Sequence, residues 1–263
     1  MSKPQKSFIE GSKEFVKTVF YALLIAGLIR TLLFQPFWIP SGSMKPNLLI
    51  GDYIFVNKYV YGYSKYSCPF SLCPFEGRFF YSEPKRGDVV VFRHPVNGKD
   101  YVKRLIGLPG DNILLKDGRL WINKTKVKIQ QVSDFVEIKE KQGPLESIPR
   151  CSNSPVALGS SCEKRQFLES LTDEIEIRTL DISVGEYGDN TTSFKVPKGH
   201  FFFLGDNRDN SLDSRFGRMA GGVGFVEAEN LIGRADGILF SSAGSMLIAF
   251  WSWRKDRFFR AVN

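Results

Sequence analysis

The chain has 263 residues, of which 43% are hydrophobic and 24% charged, and it carries a net charge of +8. That length can bury one large core or two modest ones, and that composition excludes a disordered polymer. The basic balance suits nucleic acid or an anionic membrane surface, but outside residues 249–260 no Lys/Arg block is interleaved with aromatics, which argues against nucleic acid.

Lys3, Lys6, Lys13 and Lys17 lie in a tail over residues 1–17. Residues 18–34 follow as an apolar run interrupted at Arg30, just long enough to cross a bilayer as a helix. Arg30 falls near one end, where its stem lets the guanidinium snorkel to the headgroups. Only Lys45 follows within a similar distance, so the positive-inside rule predicts a cytoplasmic tail. The body is then expected on the extracytoplasmic, periplasmic side of an inner cell membrane, crossed once. A cleavable signal peptide has the same outline. Here, however, the run ends in Phe34-Gln35-Pro36-Phe37-Trp38, too bulky for a small-residue cleavage site. A buried core helix is the other alternative, and the lysine asymmetry argues against it.

Beyond Trp38 the pattern is β. Residues 50–58 alternate apolar and polar after a turn signal, and residues 87–92 form a short β-branched run. Residues 114–122 read as a hairpin around Asp117-Gly118, and residues 200–204 as a buried strand. Many short runs divided by Gly and Pro predict a mainly β protein, an all-β body behind one N-terminal transmembrane helix. Residues 112–198 are more polar and read as an inserted smaller β subdomain, with 35–111 and 199–263 as the principal β domain. Residues 249–260 mix aromatics with cations, which suits either a membrane-surface segment or a core-packed terminal helix. The cysteines fall in two close pairs, Cys68 with Cys73 and Cys151 with Cys162, at spacings that do not suit a metal site. They read as two local disulfides in an oxidising compartment, or alternatively as four buried thiols.

Three segments carry candidate chemistry. Ser41-Gly42-Ser43 sits directly after the apolar run and offers a nucleophile and a second hydroxyl, although Ser-Gly-Ser is also an ordinary loop. A serine needs a base, and His94 and His200 lie in contexts that look like strand ends. Lys103, between apolar neighbours, can serve if burial lowers its pKa. Its alternative is an outward strand lysine paired with a carboxylate. Residues 205–215 are dense in Asp, Asn and Arg. The calcium-loop Gly and terminal Glu are missing at the required spacing, so a network of carboxylate–guanidinium pairs is the better reading.

Taken in order, these segments resemble the bacterial type I signal peptidases, or leader peptidases. The resemblance is carried by Ser41-Gly42-Ser43-Met44-Lys45-Pro46, by Pro84-Lys85-Arg86-Gly87-Asp88-Val89-Val90 and by Tyr101-Val102-Lys103-Arg104-Leu105-Ile106-Gly107 with Leu108-Pro109-Gly110-Asp111. It continues through Gly205-Asp206-Asn207-Arg208-Asp209-Asn210-Ser211-Leu212-Asp213-Ser214-Arg215 and Gly233-Arg234-Ala235. It implies a catalytic all-β domain with an apolar face against the membrane. By position, Ser43 resembles the nucleophile and Lys103 the general base. Ser41 resembles the oxyanion-hole hydroxyl and Ser211 the hydroxyl that orients the lysine. Asp213 and Arg215 resemble a supporting ion pair, and Phe37, Ile39, Leu48, Tyr101 and Val102 fall where the family lines its substrate pockets. Residues 216–223 depart from the pattern, intervening before Gly224-Phe225-Val226 as a longer loop.

The expected function is a membrane serine endopeptidase that removes signal peptides from exported preproteins without metal or organic cofactor. Its expected partners are those preproteins and the lipid bilayer, with no nucleic acid. Two alternatives share parts of the pattern: a Ser-Lys self-cleaving regulator, against which the anchor argues, and a catalytically silent membrane binding protein of the same fold.

Overall fold

The structure, a computed structural model, describes residues 8–68, 74–244 and 250–262. It opens with helix α1, Phe8–Leu32, in which the 22 residues Gly11–Leu32 are apolar enough to cross a membrane. At 1.5 Å per residue they span about 33 Å, a bilayer's hydrocarbon thickness. None of that stretch is buried inside the body. The helix stops short of the expected boundary at residue 34. Pro36 cannot donate a backbone bond and disfavours helix at Gln35, so Phe34–Trp38 extend into strand β1 instead.

The remaining strands are β2 (Asp52–Asn57), β3 (Val89–Arg93), β4 (Asp100–Gly107), β5 (Asn112–Lys116), β6 (Arg119–Ile122), β7 (Thr125–Lys126) and β8 (Lys128–Ile138). After them come β9 (Ser161–Ser170), β10 (Glu176–Asp181), β11 (Phe194–Lys195), β12 (His200–Leu204), β13 (Val226–Glu227), β14 (Leu231–Ser241) and β15 (Arg260–Ala261). The protein is therefore mainly β behind one N-terminal helix. The principal sheet has the order β1-β2-β14-β3-β4-β12-β13, with β15 on β14. Strands within residues 112–198 form two further sheets, β10-β9-β8 and β11-β5-β6-β7.

Local sequence explains much of this. Val89–Phe92 are all buried because β3 is covered on both faces. Asp117 and Gly118 both have positive φ, as a two-residue hairpin turn matching the strand twist requires, and they join β5 to β6. Ile39, Met44, Leu48, Ile54, Val56, Val89 and Val91 pack in one cluster directly under the Ser41–Ser43 loop. A second cluster joins Val90, Phe92, Leu105, Phe201 and Phe203 on the other face of the same strands.

The C-terminal stretch differs from the terminal-helix alternative. Among the described residues it forms two short 3-10 turns, Phe250–Ser252 and Lys255–Arg257, and then β15. The reason is that its arginines turn inward: Arg257 pairs with buried Asp52 at 2.6 Å, and Arg254 donates to the Ile50 carbonyl. Phe250, Trp251 and Phe259 stay exposed. Cys151 and Cys162 form a disulfide, which removes the free-thiol alternative for that pair. The Cys68–Cys73 expectation falls on Cys73, which lies outside the described residues. The long loop at 216–223 closes on itself through a turn at Arg218–Ala220 and a left-handed Gly221.

Candidate active site

Ser43 lies in a 3-10 turn, Gly42–Met44, separated by three residues from the end of β1. The turn is held from below. Asn207 donates its backbone N–H to the Ser43 carbonyl and its side-chain amide to the Gly42 carbonyl, each at 3.0 Å. Gly205 lies so close beneath that a Cβ there would sit 2.7 Å from the Ser43 carbonyl oxygen and nearer still to the Ser211 hydroxyl. This close approach is why the segment after β12 begins with glycine.

Lys103 sits in the middle of β4, opposite Val90 of β3. It is 4% exposed, and its Nζ lies 2.6 Å from Ser43 Oγ. The outward, carboxylate-paired lysine of the alternative reading is not what forms: among the described residues no carboxylate bonds to Lys103. Burial lowers its pKa to about 8, with Asp213 and Asp206 opposing the shift from a distance. Near neutral pH a usable fraction is thus unprotonated, able to accept the serine proton. Ser41 is exposed, with its Oγ 3.3 Å from Ser43 Oγ.

Beneath the dyad the Asp/Asn/Arg segment folds into buried ion pairs, as its composition leads one to expect. Arg104, the strand neighbour of Lys103 that points to the opposite face, makes a two-pronged bond to Asp206 at 2.8 Å. Arg208 grips Glu169 of β9 in the same way, and Arg215 grips Asp213. Burial pushes the Asp213 carboxyl up, but the Arg215 guanidinium and the Gly205 N–H outweigh it and hold the acid below its ordinary range. Ser211 departs from its expected contact. Its hydroxyl is buried beside Gly205 and near enough to Asp213 to help keep that acid ionised, yet it makes no well-formed hydrogen bond and none to Lys103.

The dyad opens into a cleft of about 610 Å³ lined by Ser41, Ser43, Tyr101, Lys103, Ser211 and Arg215, among others. Of the five residues expected in substrate pockets, only Tyr101 lines this cleft. Ile39 and Leu48 are fully buried with Met44, and Phe37 and Val102 pack on that cluster.

The opposite wall was not legible in the sequence. It comes from residues 142–149 and from Lys164 of β9. There Lys45 donates to Glu137 of β8 at 2.5 Å and to Gln142 at 2.7 Å, while Lys164 bonds the other Glu137 oxygen. The Lys45 stem also runs under Gly42, whose added Cβ would meet its Cε at 3.3 Å. Lys45 is adjacent to the serine loop in sequence, but nothing in the local pattern of residues 128–138 singles out Glu137 as its partner.

Among the described residues no cluster of His, Cys, Asp and Glu could hold a metal ion.

Known proteins resemble this chain in sequence. The model of the family described as "Signal peptidase, peptidase S26" matches residues 12–240. Signal peptidase I of Rickettsia canadensis (strain McKiel) is 42% identical over 229 residues, 86% of this chain and 79% of its own. Signal peptidase I of Rickettsia typhi (strain ATCC VR-144 / Wilmington) is 42% identical over 239 residues, 88% and 80% of the two chains. A crystal structure of a signal peptidase I from Enterococcus faecalis V583 aligns at 25% identity over 58% of this chain and 97% of that one. Its TM-score of 0.30 is too low to bear on the fold.

Proposed function

The chain belongs to the signal peptidase family, peptidase S26, hydrolases that remove signal peptides, and from that premise we propose a membrane-anchored serine endopeptidase working through a Ser43–Lys103 dyad. The observation that carries this reading is the 2.6 Å approach of a buried lysine to a buried serine with no bonded carboxylate. Neutral Lys103 takes the Ser43 proton as Oγ attacks the scissile carbonyl. The oxyanion is stabilised by the Ser43 N–H and the Ser41 hydroxyl. Protonated Lys103 then gives its proton to the leaving amine, and the acyl-enzyme forms. Water, deprotonated by the again neutral Lys103, attacks the acyl carbonyl, and Lys103 returns the proton to Ser43 Oγ as the signal peptide leaves with its new carboxylate. Ser211 and the Asp213–Arg215 pair support the lysine's surroundings rather than touch it. Tyr101 forms a wall, and Phe37, Ile39, Leu48 and Val102 an apolar underlayer, for pockets that take small residues.

In this reading α1 crosses the bilayer once with the lysine-rich tail in the cytoplasm. The body, including the inserted stretch 112–198, works outside. Exposed Phe250, Trp251 and Phe259 suit a lipid-facing edge.

The test is to incubate purified full-length protein with a model preprotein beside Ser43→Ala. A single cut that requires Ser43 is expected. Equal cutting by Ser43→Ala, or none by the wild type, overturns the assignment. Added protease should digest the body on spheroplasts and spare the tail, and a protected body would reverse the topology.

A further inference from the structure

A helix leaves its last four carbonyls without partners inside the helix. At the end of α1 the body supplies the missing donors. Lys58 Nζ donates to the Arg30 carbonyl at 3.0 Å, and the Tyr63 hydroxyl donates to the Leu32 carbonyl at 2.7 Å. The Lys58 backbone N–H takes the Leu33 carbonyl at 3.0 Å. The same ammonium also reaches the Ser67 carbonyl at 2.6 Å, so the body holds the lysine from the other side. Lys58 is 1% exposed and bonds no carboxylate among the described residues. Lys58 takes no part in the hydrolytic chemistry, so its burial needs another reason.

Its position supplies one. Lys58 immediately follows β2, and β2 pairs with β1 from Phe34↔Asn57 to Trp38↔Tyr53. The ladder continues through Ile39 N–H to the Asp52 carbonyl and Gly51 N–H to the Ile39 carbonyl. Phe34 packs against Phe55 with ring centres 4.2 Å apart and planes tilted by 32°. No free linker separates the end of α1 from Ser41. Eight residues, 33–40, connect the two, and five of them, about 17 Å, are strand β1 paired in the sheet.

We propose that Lys58 and Tyr63 form a clamp that locks α1 to the body and so fixes the height of Ser43 above the membrane, making the distance from apolar segment to scissile bond a determinant of which preproteins are cut. Lys58 and Tyr63 are positioning residues in this scheme, and the scheme rests on the reading of α1 as a membrane span and of Ser43–Lys103 as the reactive pair. A substrate whose cut site lies nearer to or farther from its apolar segment would present the wrong bond to a site held at one level. A hinged body would reach a range of levels.

The experiment uses full-length protein in lipid vesicles and two substrates. One is a soluble peptide spanning the cut site. The other is a series of preproteins in which spacer residues shift the cut site away from the apolar segment, each by at most about 3.5 Å. The wild type should cut the peptide and show a sharp optimum in the spacer series. Lys58→Met, and the milder Tyr63→Phe, should keep peptide cleavage while the optimum flattens. At the best spacing the loss should be about tenfold for Lys58→Met, the size expected for removing one charge-assisted bond. Lys58→Arg, which keeps donors, should retain the optimum. An unchanged spacer profile in both weakened variants overturns the clamp. So does equal loss on peptide and preprotein, which would put the damage in the site itself. A wild type that cuts neither substrate overturns the dyad reading, and the clamp with it.

Discussion

The floor of the cleft and its far wall each bury a lysine close to Ser43, and burial brings the pKa of each to about 8. In the proposed mechanism the two lysines nevertheless do opposite things. On the floor, Lys103 of β4 meets a hydroxyl and no bonded carboxylate, so its proton can leave and return. In the wall, Lys45 meets Glu137, which burial pushes up but which Lys45 and Lys164 together pull below its ordinary range. That carboxylate favours the ammonium, and Lys45 is a tether between the serine loop and β8. Burial alone therefore does not make a base; the first group the nitrogen touches decides.

The largest test of this contrast is Lys103→Met, which keeps the apolar stem and removes the amine. Turnover should fall by a factor on the order of 10⁴, the upper range for acid–base groups, while the protein stays folded by circular dichroism. Wild-type activity should rise with pH through about 8 as Lys103 loses its proton. Retained activity in the Met variant would erase the distinction between floor and wall. Next in size is Ser41→Ala. It should cost roughly 10²–10³ in kcat, the usual loss for one oxyanion donor, with Ser41→Thr retaining more. An unaffected kcat removes Ser41 from the mechanism.

On the wall side, Glu137→Gln leaves two buried lysines without their shared carboxylate. Denaturant unfolding should register a loss of about 3–5 kcal/mol, while activity per folded molecule persists. If instead stability holds and turnover vanishes, the wall belongs to the chemistry. The smallest effect is thermodynamic. A lysine with a pKa of about 8 folded and an ordinary value unfolded binds fewer protons in the native state, so wild-type stability climbs as pH rises from about 8 towards 10.5. Lys103→Met has no such term. It should be the more stable protein at pH 7, by up to about 3 kcal/mol, and the gap should close with rising pH. A gap independent of pH would mean that Lys103 is not desolvated.

What could be read from the sequence follows from range. The Asp117-Gly118 turn, the β-branched β3 run and the apolar helix announce themselves locally, because each depends on dihedral preference or periodicity within a few residues. The chemistry of the residues makes Lys103 a candidate base for Ser43 and the resemblance pairs them, but no local pattern shows them as neighbours, since sixty residues separate two side chains that the sheet brings to 2.6 Å. The end of the helix is hidden in the sequence because apolar character continues through Leu33 and Phe34 after the backbone has already turned to meet β2. The cleft wall was hidden for a different reason. Lys45, Glu137, Gln142 and Lys164 each look like ordinary polar residues, and only tertiary contact reveals that one carboxylate serves two lysines. Ser211 shows the limit of the resemblance: its position fits an orienting hydroxyl, but its side chain here leans to Asp213.

The place of β14 in the interior of the principal sheet has a consequence for timing. It lies between β2 and β3, pairing Ala235 with Val56 and Arg234 with Val90. A ribosome has made Ser43 and Lys103 long before it makes this strand. At ordinary synthesis rates the interval is on the order of ten seconds. During it β2 and β3 have no shared neighbour, and the apolar cluster under the serine loop lacks Ile232, Ala235 and Ile238. On the proposed reading, the reactive pair would therefore lack its completed sheet until residues 231–241 have been made. Chains stalled before Leu231 should not react with an acylating reagent aimed at Ser43, whereas chains released at full length should.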